Sequence, residues 1–260
     1  MGPLLLSMVR ETVLWPSLAA LAMMAAGALL QNRLFNALAI GTGFLVGYAL
    51  IYGNFSFPPT EAQGWLPVFV ASAFIVFAID DLKGFPFASR LALQGLFSTA
   101  GAMLLLLPLL KTDFPANLAE LVASILLWFG LWILVDMRQG PALFFVSVGN
   151  AAVCATTGST MLGQLGGVLA TVLGIHLALN LKRPPVHAGS AVATTILASL
   201  MLIGHAYAGT STLPTLLLLA AFAGLAFKRP VFAWSFSLLP VAISIALAVK
   251  HYLSQDGGGY

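Results

Sequence analysis

Residues 142–180 read ALFFVSVGNAAVCATTGSTMLGQLGGVLATVLGIHLALN, without a single Asp, Glu, Lys or Arg. As one helix rising 1.5 Å per residue, the run would extend to about 58 Å. The hydrocarbon core of a bilayer is only about 30 Å thick. The run therefore turns back on itself, and Thr156-Thr157-Gly158-Ser159-Thr160 is the place where small and β-branched residues weaken the helix. This reading, two helices folded against each other in a membrane, sets the fold class.

The same argument applies to residues 191–227, which are also uncharged and are interrupted by Gly209-Thr210-Ser211-Thr212-Leu213-Pro214. Outward from these two runs, the apolar segments are 12–30, 34–53, 65–79, 91–110, 118–135, 142–157, 160–180, 191–208, 215–227 and 231–249. The expected fold is all-α: one integral membrane domain over residues 1–260, a polytopic transmembrane helix bundle of about ten spans (eight to ten) with short loops.

Composition excludes a water-soluble protein. Hydrophobic residues make up 60% of the chain and charged residues 7%, against roughly 45–50% and about 25% in soluble domains. The net charge of +3 comes from Lys and Arg residues standing singly or in pairs, a pattern of loop charges rather than a nucleic-acid footprint. Membrane lipids, and other membrane subunits or a second copy of the chain, are the partners this composition suits. Cys154 is the single cysteine, so neither an internal disulfide nor a multi-cysteine metal site is possible. Met1 to Arg10 lacks the form of a cleaved leader, and the first span is expected to remain in the chain.

Positive loops stay cytoplasmic, and with ten spans Arg33, Lys83, Arg90, Arg138, Lys182, Arg183, Lys228 and Arg229 share one side while Arg10, Lys111 and Lys250 take the other. Merging residues 142–180 into one crossing, alone or together with 191–227, brings this split to near parity. Ten spans with both termini outside the cytoplasm follow, and a bacterial inner membrane is the expected location. Trp15 and Trp65 then fall at outer boundaries, Trp132 and Trp234 at inner ones, and Trp128 deeper.

The richest polar stretch is Ala78-Ile79-Asp80-Asp81-Leu82-Lys83-Gly84, followed by Ser89-Arg90-Leu91-Ala92-Leu93-Gln94. Adjacent carboxylates at a helix mouth suit Mg²⁺, an oxygen-seeking cation. Locally this stretch resembles the acidic-pair loop of the polyprenyl-phosphate sugar-phosphate transferases, and Gly158-Ser159-Thr160-Met161-Leu162-Gly163 looks like the segment after that family's second acidic site. The resemblance implies Mg²⁺-dependent transfer of a sugar phosphate to a lipid phosphate. However, Thr156 stands where that family carries an Asp, and Asp136 with Gln139 is all that remains of its Asn/Asp-rich motif. The competing reading makes Asp80, Asp81, Lys83 and Arg90 a solvated cluster at the cytoplasmic boundary.

His176 and His205 fall within spans, where ionisable groups invite functional readings. Their opposite depths exclude a shared haem, and ordinary hydrogen bonding is expected for both. Ser159 lacks a nearby base that would make it a nucleophile. Ser147, Ala151, Ala155, Ser159, Gly163, Gly167 and Thr171 recur every fourth position, and Gly43 with Gly47 forms another small-xxx-small pair. Such stripes let helices approach closely in lipid. The break at 156–164 also suggests an uncharged polar lining of Asn150, Thr156, Thr157, Ser159, Thr160 and Gln164.

Over its length the chain resembles a group of bacterial multi-pass membrane proteins to which no activity is attached. The likeness rests on Ser56-Phe57-Pro58-Pro59-Thr60-Glu61-Ala62 with Trp65-Leu66-Pro67, on Gly158 to Gly167, and on the pattern from Gly204 to Pro214. It implies an all-helical membrane protein and no particular chemistry. The expected function is a non-catalytic, structural or accessory subunit of a membrane complex, with no catalytic, cofactor or metal-binding residue. A permease or flippase for a small neutral or lipidic substrate comes second, and a degenerate lipid-linked sugar-phosphate transferase third.

Overall fold

The computed structural model describes residues 3–32, 34–53, 55–137, 141–180, 187–226 and 230–256. Among these residues there are α-helices and short 3-10 and π turns but no strands. Helix α1 (Pro3–Val9) runs through a π-helical turn, Arg10–Leu14, into α2 (Trp15–Leu29). There follow α3 (Leu34–Tyr52), a 3-10 turn at Ala62–Trp65, α4 (Leu66–Lys83), α5 (Phe87–Thr112), α6 (Phe114–Met137) and α7 (Ala142–Thr156). The chain continues through α8 (Thr160–Asn180), α9 (His187–Ala208), α10 (Thr212–Ala220), a 3-10 stretch at Ala221–Ala226, and α11 (Pro230–Asp256).

Among the described residues, eight stretches are long and apolar enough to cross a bilayer: Leu6–Leu29, Leu34–Tyr52, Ala62–Lys83, Phe87–Thr112, Phe114–Ile133, Thr160–Leu179, Ala188–Ala208 and Phe232–Ser254. The chain is thus a multi-pass integral membrane protein, as composition required. Two further apolar helices, Ala142–Thr156 and Thr212–Gly224, are shorter. At 15 residues α7 measures about 22 Å, less than the bilayer core. Its surroundings compensate, because α7 is flanked by α8, α9, α10 and α11.

Both proposed breaks are real turns with a common device. After α7, Gly158 adopts φ +93°, and the Ser159 N–H donates back to the Cys154 carbonyl at 3.1 Å. After α9, Gly209 adopts φ +66°, and the Thr210 N–H donates to the Gly204 carbonyl at 3.1 Å. Each left-handed glycine closes carbonyls that a helix end leaves open, which inside a bilayer no water would satisfy.

Helix α9 is the centre of the bundle and packs against α3 to α8 and α10. Residues 191–204 are buried without interruption, the mark of a helix enclosed by neighbours on every side. Around it, glycines set the closest approaches. A Cβ on Gly47 would stand 2.6 Å from both Val168 methyls, and one on Gly43 would stand 2.7 Å from Val172 Cγ2, so this pair seats α3 on α8. In the α7–α8 hairpin a Cβ on Gly163 would meet Ala155 Cβ at 2.9 Å, and one on Gly166 would meet Ala151 Cα at 2.9 Å. Gly167 has no such neighbour within 4 Å, so the predicted four-residue stripe leaves the contact face there.

The tryptophans correct another expectation. Trp15 (46% exposed) and Trp234 (43% exposed) lie on the surface, but Trp132 is 3% exposed and stacks on Phe77 with ring centroids 4.5 Å apart. Trp128 is also buried, and a Cβ on Gly101 would stand 2.5 Å from its ring. These two indoles fill the space between α4, α5 and α6 instead of anchoring an interface.

Candidate functional site

The acidic pair lies at the C-terminal end of α4, where Gly84 at φ +66° ends the helix. The chain then reverses through Phe85-Pro86 into α5, which brings Arg90 back over Asp80. Arg90 Nε donates to Asp80 Oδ2 at 2.7 Å, and Nη2 reaches Oδ1 at 3.4 Å. The Phe85 N–H also donates to Oδ1 at 3.0 Å. Asp80 is 1% exposed, so both carboxylate oxygens are occupied in a nearly dry setting, where charge-assisted bonds are strong.

Asp81 points elsewhere. Its Oδ2 accepts the Ala188 N–H at 2.9 Å, capping the first turn of α9, where unsatisfied N–H groups and the helix dipole favour an anion. Lys83 is exposed. The expectation of a solvated boundary cluster therefore suits Lys83 but not Asp80, and the two adjacent carboxylates serve two different junctions. A periodicity of 3.6 residues turns neighbouring side chains about 100° apart, which is why Asp80 faces the α4–α5 reversal while Asp81 faces α9.

The polar break between α7 and α8 is arranged locally. The hydroxyls of Thr156 and Thr157 donate to carbonyls of their own helix, Thr156 to Val153 at 2.9 Å and Thr157 to Val153 and Cys154 at 3.1 Å each. Ser159 sits in the turn and Thr160 begins α8, with Gln164 half-buried one turn later. Asn150 is buried, its Oδ1 3.8 Å from Cys154 Sγ, and its Nδ2 has no hydrogen-bond partner among the described residues. The groove at the end of α3 and the one along α11 are lined by other residues.

No protein-family model matches this chain, nor does any curated protein or solved structure.

Three further polar groupings join separate elements. His205 Nδ1 lies 3.0 Å from the Thr210 carbonyl, just past the end of α9. Its Nε2 faces Glu120 Oε1 at 3.5 Å, tying α9 to α6. Tyr207 Oη donates to the Leu105 carbonyl at 2.6 Å, tying α9 to α5. Tyr52 Oη donates to Glu61 Oε2 at 3.0 Å, holding the loop after α3. Only the last could have been suspected, because Tyr48 and Tyr52 share a helix face at i, i+4.

His176 belongs to α8 and is not beside His205, which makes its contacts at the other end of α9. Among the described residues, no three His, Cys, Asp or Glu side chains are grouped to hold a metal ion. Arg33, Arg138, Gln139, Lys182, Arg183, Lys228 and Arg229 lie outside the described residues, as do the side chains of Asp136 and His187.

Proposed function

We propose that this chain is a non-catalytic accessory subunit of a membrane protein complex, seated in a bacterial inner membrane with both termini outside the cytoplasm. The observation that supports this reading most is the division of the acidic pair. Asp80 is clamped by Arg90 and Asp81 caps α9, so the residues most suited to chemistry hold helices together. Apolar side chains such as Phe232, Phe236, Leu239 and Ile243 stand exposed along α11, a face for lipid or for another membrane protein. Crosslinking in native membranes, followed by purification in mild detergent, tests the reading: a partner or second copy is expected to co-purify, and a solitary, uncrosslinked monomer overturns it.

A permease or flippase for a small neutral or lipidic substrate is the second reading, supported by the unpartnered Asn150 amide in a short helix that ends at a break. Folded protein in liposomes that moves neither neutral solutes nor labelled lipids would remove it. A degenerate sugar-phosphate transferase would need both carboxylates. Full biological activity in the Asp80→Asn/Asp81→Asn double variant rules it out.

A further inference from the structure

Two stretches of the bundle repeat each other. Helices α2 and α7 have 15 residues each, and two residues past the end of each the backbone turns left-handed, at Gln31 (φ +52°) and Gly158 (φ +93°). Helices of 19 and 21 residues follow. The next spans, Ala62–Lys83 and His187–Ala208, have 22 residues each and close on Gly84 and Gly209, both at φ +66°. At both closures the side chain four residues before the glycine pairs with the backbone one residue after it. Asp80 Oδ1 accepts from the Phe85 N–H at 3.0 Å, and His205 Nδ1 lies 3.0 Å from the Thr210 carbonyl. The following helix starts three residues after each glycine. Residues 15–52 therefore correspond to 142–179, and 62–83 to 187–208.

The two copies run in opposite directions. Asp81 at the end of α4 caps Ala188 at the start of α9, so these corresponding helices are antiparallel. A Cβ on Gly43 would meet Val172 and one on Gly47 would meet Val168, so α3 and α8 are antiparallel too. Each helix packs along its own counterpart, α3 on α8 and α4 on α9, the arrangement of an inverted pair about a two-fold axis in the membrane plane.

Elsewhere the packing breaks that symmetry. Helix α3 packs along α9, where a Cβ on Gly189 would lie 3.5 Å from Ile40 Cδ1 and 3.7 Å from Ala37 Cβ. The counterpart pair, α8 and α4, does not pack together among the described residues. The atoms nearest a Cβ on Gly64, which corresponds to Gly189, all belong to Pro59, and Gly167, which corresponds to Ile40, has no neighbour within 4 Å. The bundle is closed where α3 and α9 begin and not at the symmetry-related place near the starts of α8 and α4. Inverted copies held in two different arrangements are the basis of alternating access in transporters.

We propose that the bundle exchanges between this arrangement and its counterpart, in which Gly64 meets Gln164 and Gly167 while Ala37 and Gly189 separate, so that first one end of the bundle opens and then the other. This exchange rests on the permease reading, not on the subunit reading. It requires no new type of contact, because each copy takes up the packing that the other now holds.

Paired cysteines in native membranes, in a Cys154→Ala background, test the exchange. Ala37→Cys with Gly189→Cys sets Cβ atoms 3.7 Å apart, within disulfide range, and should oxidise readily. Gly64→Cys with Gln164→Cys should oxidise as well, about tenfold or more slowly, because the minor state of a two-state protein is populated to about 0.1–10%. Protein carrying all four cysteines should form either disulfide but not both in one molecule, as read by intact mass. Gln63→Cys with Gly167→Cys, joined by a short thiol-reactive linker, repeats the second arm without placing a side chain on Pro59. Oxidation or linking of the first pair alone, in variants that remain monodisperse in detergent, overturns the proposal, as do both disulfides in one molecule. Thiol oxidation reports the exchange with no solute present, whereas flux into liposomes reports permeation, so failure of the exchange and failure of the permease reading are told apart.

Discussion

The Asp81 carboxylate accepts a hydrogen bond at 2.9 Å from the backbone N–H of Ala188, a residue 107 positions further along the chain. This contact fixes the start of α9, the helix against which α3 to α8 and α10 pack, at the end of α4. The first N–H groups of a helix have no partner within it, and a carboxylate there gains from both the hydrogen bond and the dipole. Asp81→Ala should cost about 1 kcal/mol of stability, the usual value of a lost N-terminal cap. Asp81→Asn keeps an acceptor and should lose less. Thermal unfolding in mild detergent measures both, and an unchanged midpoint for Asp81→Ala would show that the contact contributes nothing.

How much of this was legible in advance depended on distance along the chain. The turns at Gly158 and Gly209 could be read because two features of the same segment, excess length and clustered small residues, pointed to one outcome. The helical segments could be read because apolar length is a local property. Asp80 could not, since hydropathy treats every charge as a loop marker, and its burial depends on Arg90 returning over it after a reversal at Gly84. Nor could Trp132, whose place was set by Phe77 on another helix and not by its nearness to a span end. The partners of Asp81 and Tyr207 lie 107 and 102 residues away, beyond any periodicity.

Asp80 and Arg90 should behave as one unit. Removing either partner of a buried pair leaves the other charge uncompensated, at a cost of about 3–5 kcal/mol. Replacing both by apolar residues of similar volume, Asp80→Leu with Arg90→Met, removes the charge problem and should be milder than either single change. A double-mutant cycle by denaturant unfolding in detergent reads the coupling directly. Strictly additive single effects would mean that the pair is solvated and its 2.7 Å contact of little consequence.

At the α3–α8 crossing, Gly47 leaves room for Val168, whose two methyls would each lie 2.6 Å from a Cβ placed there. Gly47→Leu must therefore separate the helices or displace Val168, with overpacking costs of about 1–3 kcal/mol. Val168→Ala should recover part of that loss in the double variant, because it removes the methyls that clash. Failure of Val168→Ala to rescue Gly47→Leu would place the strain elsewhere, for instance against Pro16 Cγ at 3.0 Å.

Gly166 and Gly167 offer the sharpest comparison, since they are adjacent and equally small. Four residues of an α-helix turn through about 400°, so a strict four-residue repeat drifts about 40° per step around the helix. Across the α7–α8 turn that drift leaves Gly167 without a neighbour within 4 Å, while a Cβ on Gly166 would lie 2.9 Å from Ala151 Cα and 3.1 Å from its backbone nitrogen. Backbone cannot yield as a flexible side chain can. Gly166→Ala should therefore loosen the hairpin despite the better helix propensity of alanine, while Gly167→Ala should be neutral or stabilising by up to about 1 kcal/mol. Paired thermal unfolding curves decide it. A hairpin that tolerates alanine equally at both positions would mean that α7 and α8 do not meet closely at Gly166, whereas a loss confined to Gly167→Ala would mean that the four-residue stripe describes the contact better than the geometry does.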